Sequence, residues 1–406
     1  MCSAPSITNS TIHTMQNKSL VCFAGNDWWL HNPLTEKQWT RYLARQGWTV
    51  LFVNSIGVGF PGTSSPFMLK RLFRKIRSIL RYWLRKSEGV WVMTPVLLPL
   101  WSVGWVRRLN VRLITMQVRY AMKRAGMQPG VFWAGLPTAA LLRKTIPHRH
   151  CVYYVQDDYP SYSSFDHQMF MRGNDDHEEM LRASDVVICA SIGLKERESK
   201  IARRVEYIPQ GVNPVFLNAS LERSEYLPEK LQGLSRPIIG YWGSIESLHD
   251  RDLIYALATS HPEWSFVFFG RKMVDVSQIE ALPNVHYPGF LPIEEIPLYG
   301  VHFDVGIISF KQTDYTMYGC PIKYREYLAL GLPVVAPHII EVERAYEGEG
   351  LTSRNPEEFA ERIQEAMDTD SEERRRHRRL LVQEETWDAS SDRVRAVLDS
   401  LEKEDA

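Results

Sequence analysis

Two successive series of short apolar runs, spaced by helix-like stretches, constrain this chain more than any other feature. The first series is SLVCFAG (19–25), TVLFVNS (49–55), VWVMT (90–94), VFWAG (131–135), CVYYVQ (151–156) and DVVICAS (185–191), with a helix from about Glu36 to Gln46 stopped by Gly47. The second is PIIGYWG (237–243), SFVFFG (265–270), NVHYPG (284–289), DVGIIS (304–309) and PVVA (333–336). Helical stretches at about 250–260, 292–299, 321–330 and 356–368 separate them. Runs of this length, alternating with helices, predict βαβ units and buried parallel sheets. The length of 406 residues suits two such domains rather than one core. The expected division is 19–212 for the first α/β domain, 213–234 for a linker and 235–382 for the second. A C-terminal helix occupies 383–406, with Val394, Val397 and Leu401 at helical spacing after Trp387.

Composition narrows the setting. An apolar fraction of 44% and a charged fraction of 24% are those of an ordinary globular chain. The polar stretch Met1–Lys18 lacks the pattern of a secretory leader. No apolar run reaches the ~18 residues needed to span a bilayer, since 90–106 is broken by Pro95 and Pro99. Five scattered cysteines without a CxxC point to reduced core thiols, no structural metal and a cytoplasmic location. The net charge of zero conceals a division. Residues 1–215 hold 28 Lys and Arg against 14 Asp and Glu, whereas 216–406 hold 20 against 34. The first half is therefore expected to face something anionic: a membrane surface, a nucleic acid or a phosphorylated substrate.

Within that basic half, LKRLFRKIRSILRYWLRK (69–86) reads as an amphipathic helix. Arg74, Lys75, Arg77 and Arg81 on its polar side suit a helix lying in the interface of an anionic bilayer. The alternative is a helix packed on its own sheet with a solvated basic back. Arg107, Arg108, Arg112, Arg119, Lys123 and Arg124 extend the basic surface. No nucleic-acid-binding module accompanies them, so nucleic acid is not an expected partner.

The sharpest local signal is PIKYREYLALGLPVV (321–335). Pro321 suits a first helical turn, Gly331 a left-handed C-terminus, and Pro333 opens the next strand. Lys323 and Glu326, three apart, share one face of that helix's first turns. A helix N-terminus with a lysine can take a diphosphate, and the glutamate can accept vicinal hydroxyls. On spacing alone, an ordinary surface Lys/Glu pair is the competing reading. In the first half, YVQDDYPSYSSFD (154–166) places Asp157 and Asp158 at a strand end, where one acid could orient or deprotonate an acceptor hydroxyl. A helix cap, a turn or a metal-binding acidic pair are the alternatives. Asp175 and Asp176 read as helix-capping acids. Gly25, Asn26 and Asp27 follow the first strand, where a glycine lets the loop approach a cleft. His31 and His167 read as structural or exposed.

The block 321–335, preceded by DVGIISF (304–310), resembles the donor-binding signature of family-4-type glycosyltransferases, in a subgroup reading roughly N-P-x-K-x-x-E-Y-x-A-x-G-x-P-V-V. The match holds at Pro321, Lys323, Glu326, Tyr327, Ala329, Gly331, Pro333, Val334 and Val335, and fails at the leading Asn, here Cys320. IGYWGSI (239–245), PNVHYPGFLPIEEIPLY (283–299) and ASDVVICAS…YIPQGVNPVF (183–216) agree in order and spacing, and the first half agrees more loosely.

The resemblance implies the GT-B fold: two Rossmann-like domains facing across a cleft, with the C-terminal helix crossing back to the first. It implies a nucleotide-sugar donor held in the second domain by Glu326 at the ribose, Lys323 near the phosphates and backbone around Pro321, Ile322 and Tyr324. Gly243 and Ser244 would form the turn at the diphosphate, and Gly289 and Phe290 would flank the base. Tyr318 stands where many members have a glutamate acting on the sugar, and Arg251 or Arg271 would supply missing positive charge. The implied activity is a retaining, metal-independent transfer, with no cofactor, to a glycan or lipid-linked acceptor in cell-surface polysaccharide biosynthesis. The protein would be peripheral on the inner face of the membrane. A donor-rearranging epimerase and a catalytically idle partner binding glycan or membrane are the rival readings.

Overall fold

The computed structural model describes residues 18–29, 35–55, 83–98, 103–162 and 173–404. Within them the two apolar series become two sheets. The first holds β1 (Ser19–Phe23), β2 (Thr49–Val53), β3 (Leu84–Ser87), β4 (Val90–Met93), β5 (Val131–Ala134), β6 (His150–Val155), β7 (Val186–Cys189) and β8 (Val205–Tyr207), in the order β3-β4-β2-β1-β5-β6-β7-β8. The second holds β9 (Ile238–Trp242), β10 (Ser265–Phe269), β11 (Val285–Gly289), β12 (Val305–Ile307), β13 (Val334–Pro337) and β14 (Gly350–Ser353), in the order β11-β10-β9-β12-β13-β14. All pairings are parallel except β3 with β4. Strands β1, β5, β6, β7, β9, β10 and β13 are buried throughout, as helices on both faces of a parallel sheet require.

The helices that frame the site are α1 (Thr35–Arg45), α2 (Gly104–Arg124), α3 (Ile192–Glu198), α4 (Arg251–Ser260), α5 (Ile322–Ala329), α6 (Ile340–Arg344), α7 (Pro356–Asp368), α8 (Glu372–Val382) and α9 (Trp387–Glu404). Side-chain oxygens fix several starts. Ser191 accepts the Leu194 N–H, Asp250 the Leu253 N–H, and Asn355, ahead of Pro356, the Glu358 N–H.

The basic segment 69–86 departs from expectation where it can be seen. Leu84–Ser87 is a strand, paired antiparallel with β4. Glu88 and Gly89, both at positive φ (51° and 84°), make a two-residue hairpin turn that ends any helix there. Arg74, Lys75, Arg77 and Arg81 lie outside the described residues, as do His31 and His167. The helix expected over 292–299 shrinks to Ile296–Gly300, because Pro292 and Pro297 cannot donate to a continuous helix. Short β8 and β14 had no clear sequence signal.

The chain crosses between the sheets twice, and the crossings pair. The Val212 N–H donates to the Glu385 carbonyl (2.7 Å). A Cβ on Gly211 would come within 2.6 Å of the Trp387 backbone, so only glycine fits. Helix α9 then packs on the first domain. The Trp39 indole donates to Ser390 (3.0 Å), Lys18 pairs with Asp399 (2.6 Å), and Val394, Leu398 and Leu401 enter the core around β1.

The carboxyl ends of the two sheets meet. Loops following β6, β7 and β8 touch loops following β12 and β13. The Ser191 hydroxyl donates to the Tyr318 carbonyl (2.7 Å), and Glu341 Oε2 accepts the Ile192 N–H (2.8 Å). Glu341 is completely buried and pairs with Arg325, also completely buried, while Tyr207 of β8 bonds both. The guanidinium also reaches Tyr346 and the Cys320 sulfur. Such a pair is tolerable only because every lobe has a partner.

Candidate active site between the two sheets

Helix α5 brings Lys323 and Glu326 to the end of β9, beside the point where the strand order turns from β10 to β12. Open parallel sheets hold ligands at that crevice. The Glu326 carboxylate is buried at 7% exposure, and its Oε2 accepts the Trp242 indole N–H (2.8 Å). Burial raises its pKa, and Lys323 and Trp242 pull against that. Lys323 is half-buried and packs over Gly243, where an added Cβ would lie 2.6 Å from Lys323 Cε. Burial alone would lower the ammonium's pKa; Tyr241, Glu326 and Glu246 more than offset it and hold it above the ordinary lysine value. Each charge thus opposes the cost of the other's burial, and both side chains are held in place.

Glycines carve the floor of this edge. Gly243 has φ +130°, and its N–H donates to the Phe269 carbonyl (2.8 Å). A Cβ on Gly270 would fall 1.8 Å from the Gly243 carbonyl oxygen, so the ends of β9 and β10 converge only without side chains. The Gly289 carbonyl accepts the Gly270 N–H (3.0 Å). Ser244 continues the turn, its carbonyl accepting the Tyr241 hydroxyl at 3.4 Å. Beyond it the exposed Arg271 guanidinium lies 4.7 Å from the Phe290 ring centre, so the two form one platform at the ends of β10 and β11. Arg251 turns elsewhere and donates to the Asp275 carbonyl (2.7 Å).

Among the helix amides, Pro321 has no N–H, and the Tyr324 N–H bonds the Pro321 carbonyl (3.0 Å). The free first-turn donors expected of a helix are those of Ile322 and Lys323. The Tyr324 side chain points into the core, its hydroxyl on the Ala345 carbonyl. Tyr318 lies in the domain contact, its ring 4.5 Å from the Arg197 guanidinium of α3.

A residue that sequence reasoning missed joins this edge. His249 is buried, its Nδ1 accepting the Glu246 N–H (3.0 Å) and its ring edge-on to Tyr241 (4.9 Å) and Phe310 (5.3 Å). Burial and the nearby Lys323 push its pKa down to about 4, so it is neutral, with the proton on Nε2. That N–H has no partner among the described residues. A lone histidine in GSIESLHDRD carried no spacing signal; only the fold sets it against Tyr241.

Across the cleft the two aspartates separate. Asp158 is completely buried and pairs with Arg197 (2.9 Å), a structural role. Asp157 faces the second domain, where Tyr315 hydrogen-bonds its carboxyl; burial raises it to about 6, Tyr315 opposing. Asp175 and Asp176 sit in the first turn of the helix Gly173–Ala183. Gly25 donates its N–H to Glu36 Oε2 (2.8 Å), the Asn26 carbonyl accepts the Ser55 N–H (3.3 Å), and Asp27 accepts the Trp29 N–H (2.8 Å). Glu36, on the first turn of α1, is the second group the sequence did not flag. Its Oε1 also accepts the Trp133 indole (3.2 Å), and burial lifts it to about 7. Among the described residues no three metal-ligating side chains gather, and no helix is long and apolar enough to cross a membrane.

Residues 236–369, which carry the Lys323/Glu326 helix and the glycine floor, match the family profile of glycosyl transferases group 1. The matched stretch takes in the whole second sheet, from β9 to β14. The chain is similar to TuaH of Bacillus subtilis (strain 168), whose name places it as a glycosyltransferase in teichuronic acid biosynthesis, at 27% identity over 222 residues. That alignment spans 51% of this chain and 55% of TuaH. Sucrose-phosphate synthase from Thermosynechococcus elongatus superposes with a TM-score of 0.65 at 13% identity, covering 94% of this chain and 98% of that one. Anabaena HepE in complex with UDP-glucose gives 0.62 at 14%, covering 94% and 99%. The architecture is thus GT-B, with the family match falling in its second half.

Proposed function

We propose that the protein transfers a sugar from a nucleotide donor, bound at the carboxyl edge of the second sheet, to a glycan or lipid-linked acceptor held by the first domain. The observation that supports this best is Lys323 over Gly243 beside buried Glu326. An ammonium, a carboxylate and glycine-thinned backbone meet at one helix N-terminus. In this reading Glu326 accepts the ribose hydroxyls. Lys323, the Ile322 and Lys323 amides and the His249 Nε2–H take the diphosphate, and Phe290 with Arg271 flanks the base. Fixed donors aimed at the departing diphosphate stabilise developing charge without reorganisation. Asp157, poised near 6, orients or deprotonates the acceptor hydroxyl. Transfer is metal-independent and retains the anomeric configuration. No cofactor enters, because the nucleotide-sugar is itself a substrate.

The UDP-glucose complex of HepE favours a UDP-linked hexose, and the name of TuaH a polysaccharide-building setting; the basic first half suits the anionic inner face of the membrane. A nucleotide-release assay over a panel of nucleotide-sugars, with and without acceptor glycans, tests the reading. Acceptor-dependent release, lost in Glu326→Gln, is expected. Release or rearrangement that ignores acceptor would indicate an epimerase. No nucleotide binding at all would leave a glycan- or membrane-binding partner, and the transferase reading would fall.

A further inference from the structure

We infer that the outer face of α2, with the loop 94–98 fastened beside it, docks the protein on an anionic lipid bilayer; this rests on the membrane-side acceptor proposed above. Helix α2, GWVRRLNVRLITMQVRYAMKR, contains no acidic residue and six basic ones. At 1.5 Å per residue it is about 30 Å long. Its inner face, with Val106, Ile114 and Val118, packs into the first domain. The outer face is not the polar surface such a helix ordinarily shows. Trp105 is 66% exposed, Met116 68%, Tyr120 53% and Leu109 37%. At 3.6 residues per turn these four form one strip along the axis, and exposed Arg108, Arg112, Arg119 and Lys123 form the strip beside it.

The neighbouring loop extends the apolar strip. Gln117 clamps Val96 through both its amide groups (2.9 and 2.8 Å), and Asn110 clamps Leu98 in the same way (2.7 and 2.9 Å). Four hydrogen bonds thus hold a backbone whose Val96 and Leu98 side chains stay 43% and 41% exposed. Singly exposed apolar residues are ordinary, but a continuous strip edged by cations marks an interaction surface. Apolar side chains beside arginines suit the boundary between acyl chains and anionic headgroups. A second copy packed on this face would set like charges against one another. A nucleic acid would engage the arginine strip and leave Trp105 and Met116 in water.

The test is co-sedimentation of the full chain with phosphatidylcholine vesicles, with and without phosphatidylglycerol. Preferential binding to the anionic vesicles is expected. Arg108→Gln/Arg112→Gln/Arg119→Gln should weaken that binding about a hundredfold, at roughly a factor of five per arginine. Trp105→Ser/Met116→Ser should weaken it even where salt has screened the charges. Both variants should keep the wild-type thermal unfolding and nucleotide release, since neither touches the cleft. Equal wild-type binding to both vesicles, or wild-type binding by both variants, overturns the inference. So does a dimer that Trp105→Ser/Met116→Ser converts to monomer, or RNA binding without vesicle binding. Acceptor-dependent nucleotide release, assayed without vesicles, reads the cleft alone. A protein that releases nucleotide and ignores vesicles sinks only this docking surface; one that binds vesicles and releases none sinks only the transferase reading.

Discussion

The two sheets present their carboxyl edges to the same cleft but build them in opposite ways. The second sheet thins its edge: Gly243 and Gly270 remove side chains so that strand ends converge, and a Lys/Glu pair stands over the gap. The first sheet fills its edge with buried carboxyls. Glu36 lies under Gly25, Asp158 is locked to Arg197, and Asp157 is turned toward Tyr315. An edge without side chains suits a ligand that backbone and helix amides hold, such as a diphosphate. An edge on which burial raises the Glu36 and Asp157 carboxyls suits proton handling.

The hardest way to break this comparison is to uncouple the edges. Glu341→Ala would strand the buried Arg325 guanidinium and the Ile192 N–H. A loss of about 3–5 kcal/mol in urea unfolding is expected. A loss under 1 kcal/mol would mean the domains do not depend on that pair.

The acidic character of the first edge has a pH signature. Burial raises Glu36 from 4.5 to about 7, so the folded chain binds a proton that the unfolded chain has released. That contribution is fully present below about pH 4.5 and is lost as pH rises through 7, amounting to about 3 kcal/mol. Urea midpoints across this window should show the decline, and Glu36→Gln should flatten it. An unchanged slope in the variant would assign the decline to other groups. Asp157 sharpens the contrast through rate. With its carboxyl at about 6, turnover should fall as pH drops below 6, and Asp157→Asn should cost about a hundredfold in kcat and erase that limb. The mildest probe is on the glycine edge. Arg271→Ala removes one face of an exposed platform and should raise the donor KM by about fivefold or less, with kcat unchanged.

Much of the fold was legible because buried parallel strands read as continuous apolar runs. SLVCF, VFWA and SFVFF needed no context. The failures have physical causes. The basic run 69–86 kept helical spacing up to Arg85 and Lys86, but two left-handed residues, Glu88 and Gly89, fold its end back as β3, and Glu-Gly is a weak hairpin signal. Lys323 and Glu326 were legible because they share a helix. Glu36 and His249 were not, since each gains its role from partners distant in sequence: Trp133 for the first, Phe310 for the second. Asp157 and Asp158 read alike as neighbours, and only Arg197 and Tyr315 tell them apart.

Calorimetric titration of the wild type, Lys323→Met and Glu326→Gln with UDP and other nucleoside diphosphates addresses the second edge directly. The expected result is a measurable wild-type affinity for one diphosphate, weakened at least about tenfold in each variant while thermal unfolding is retained. Variants that bind it as tightly as the wild type would contradict the placement of the donor beneath α5.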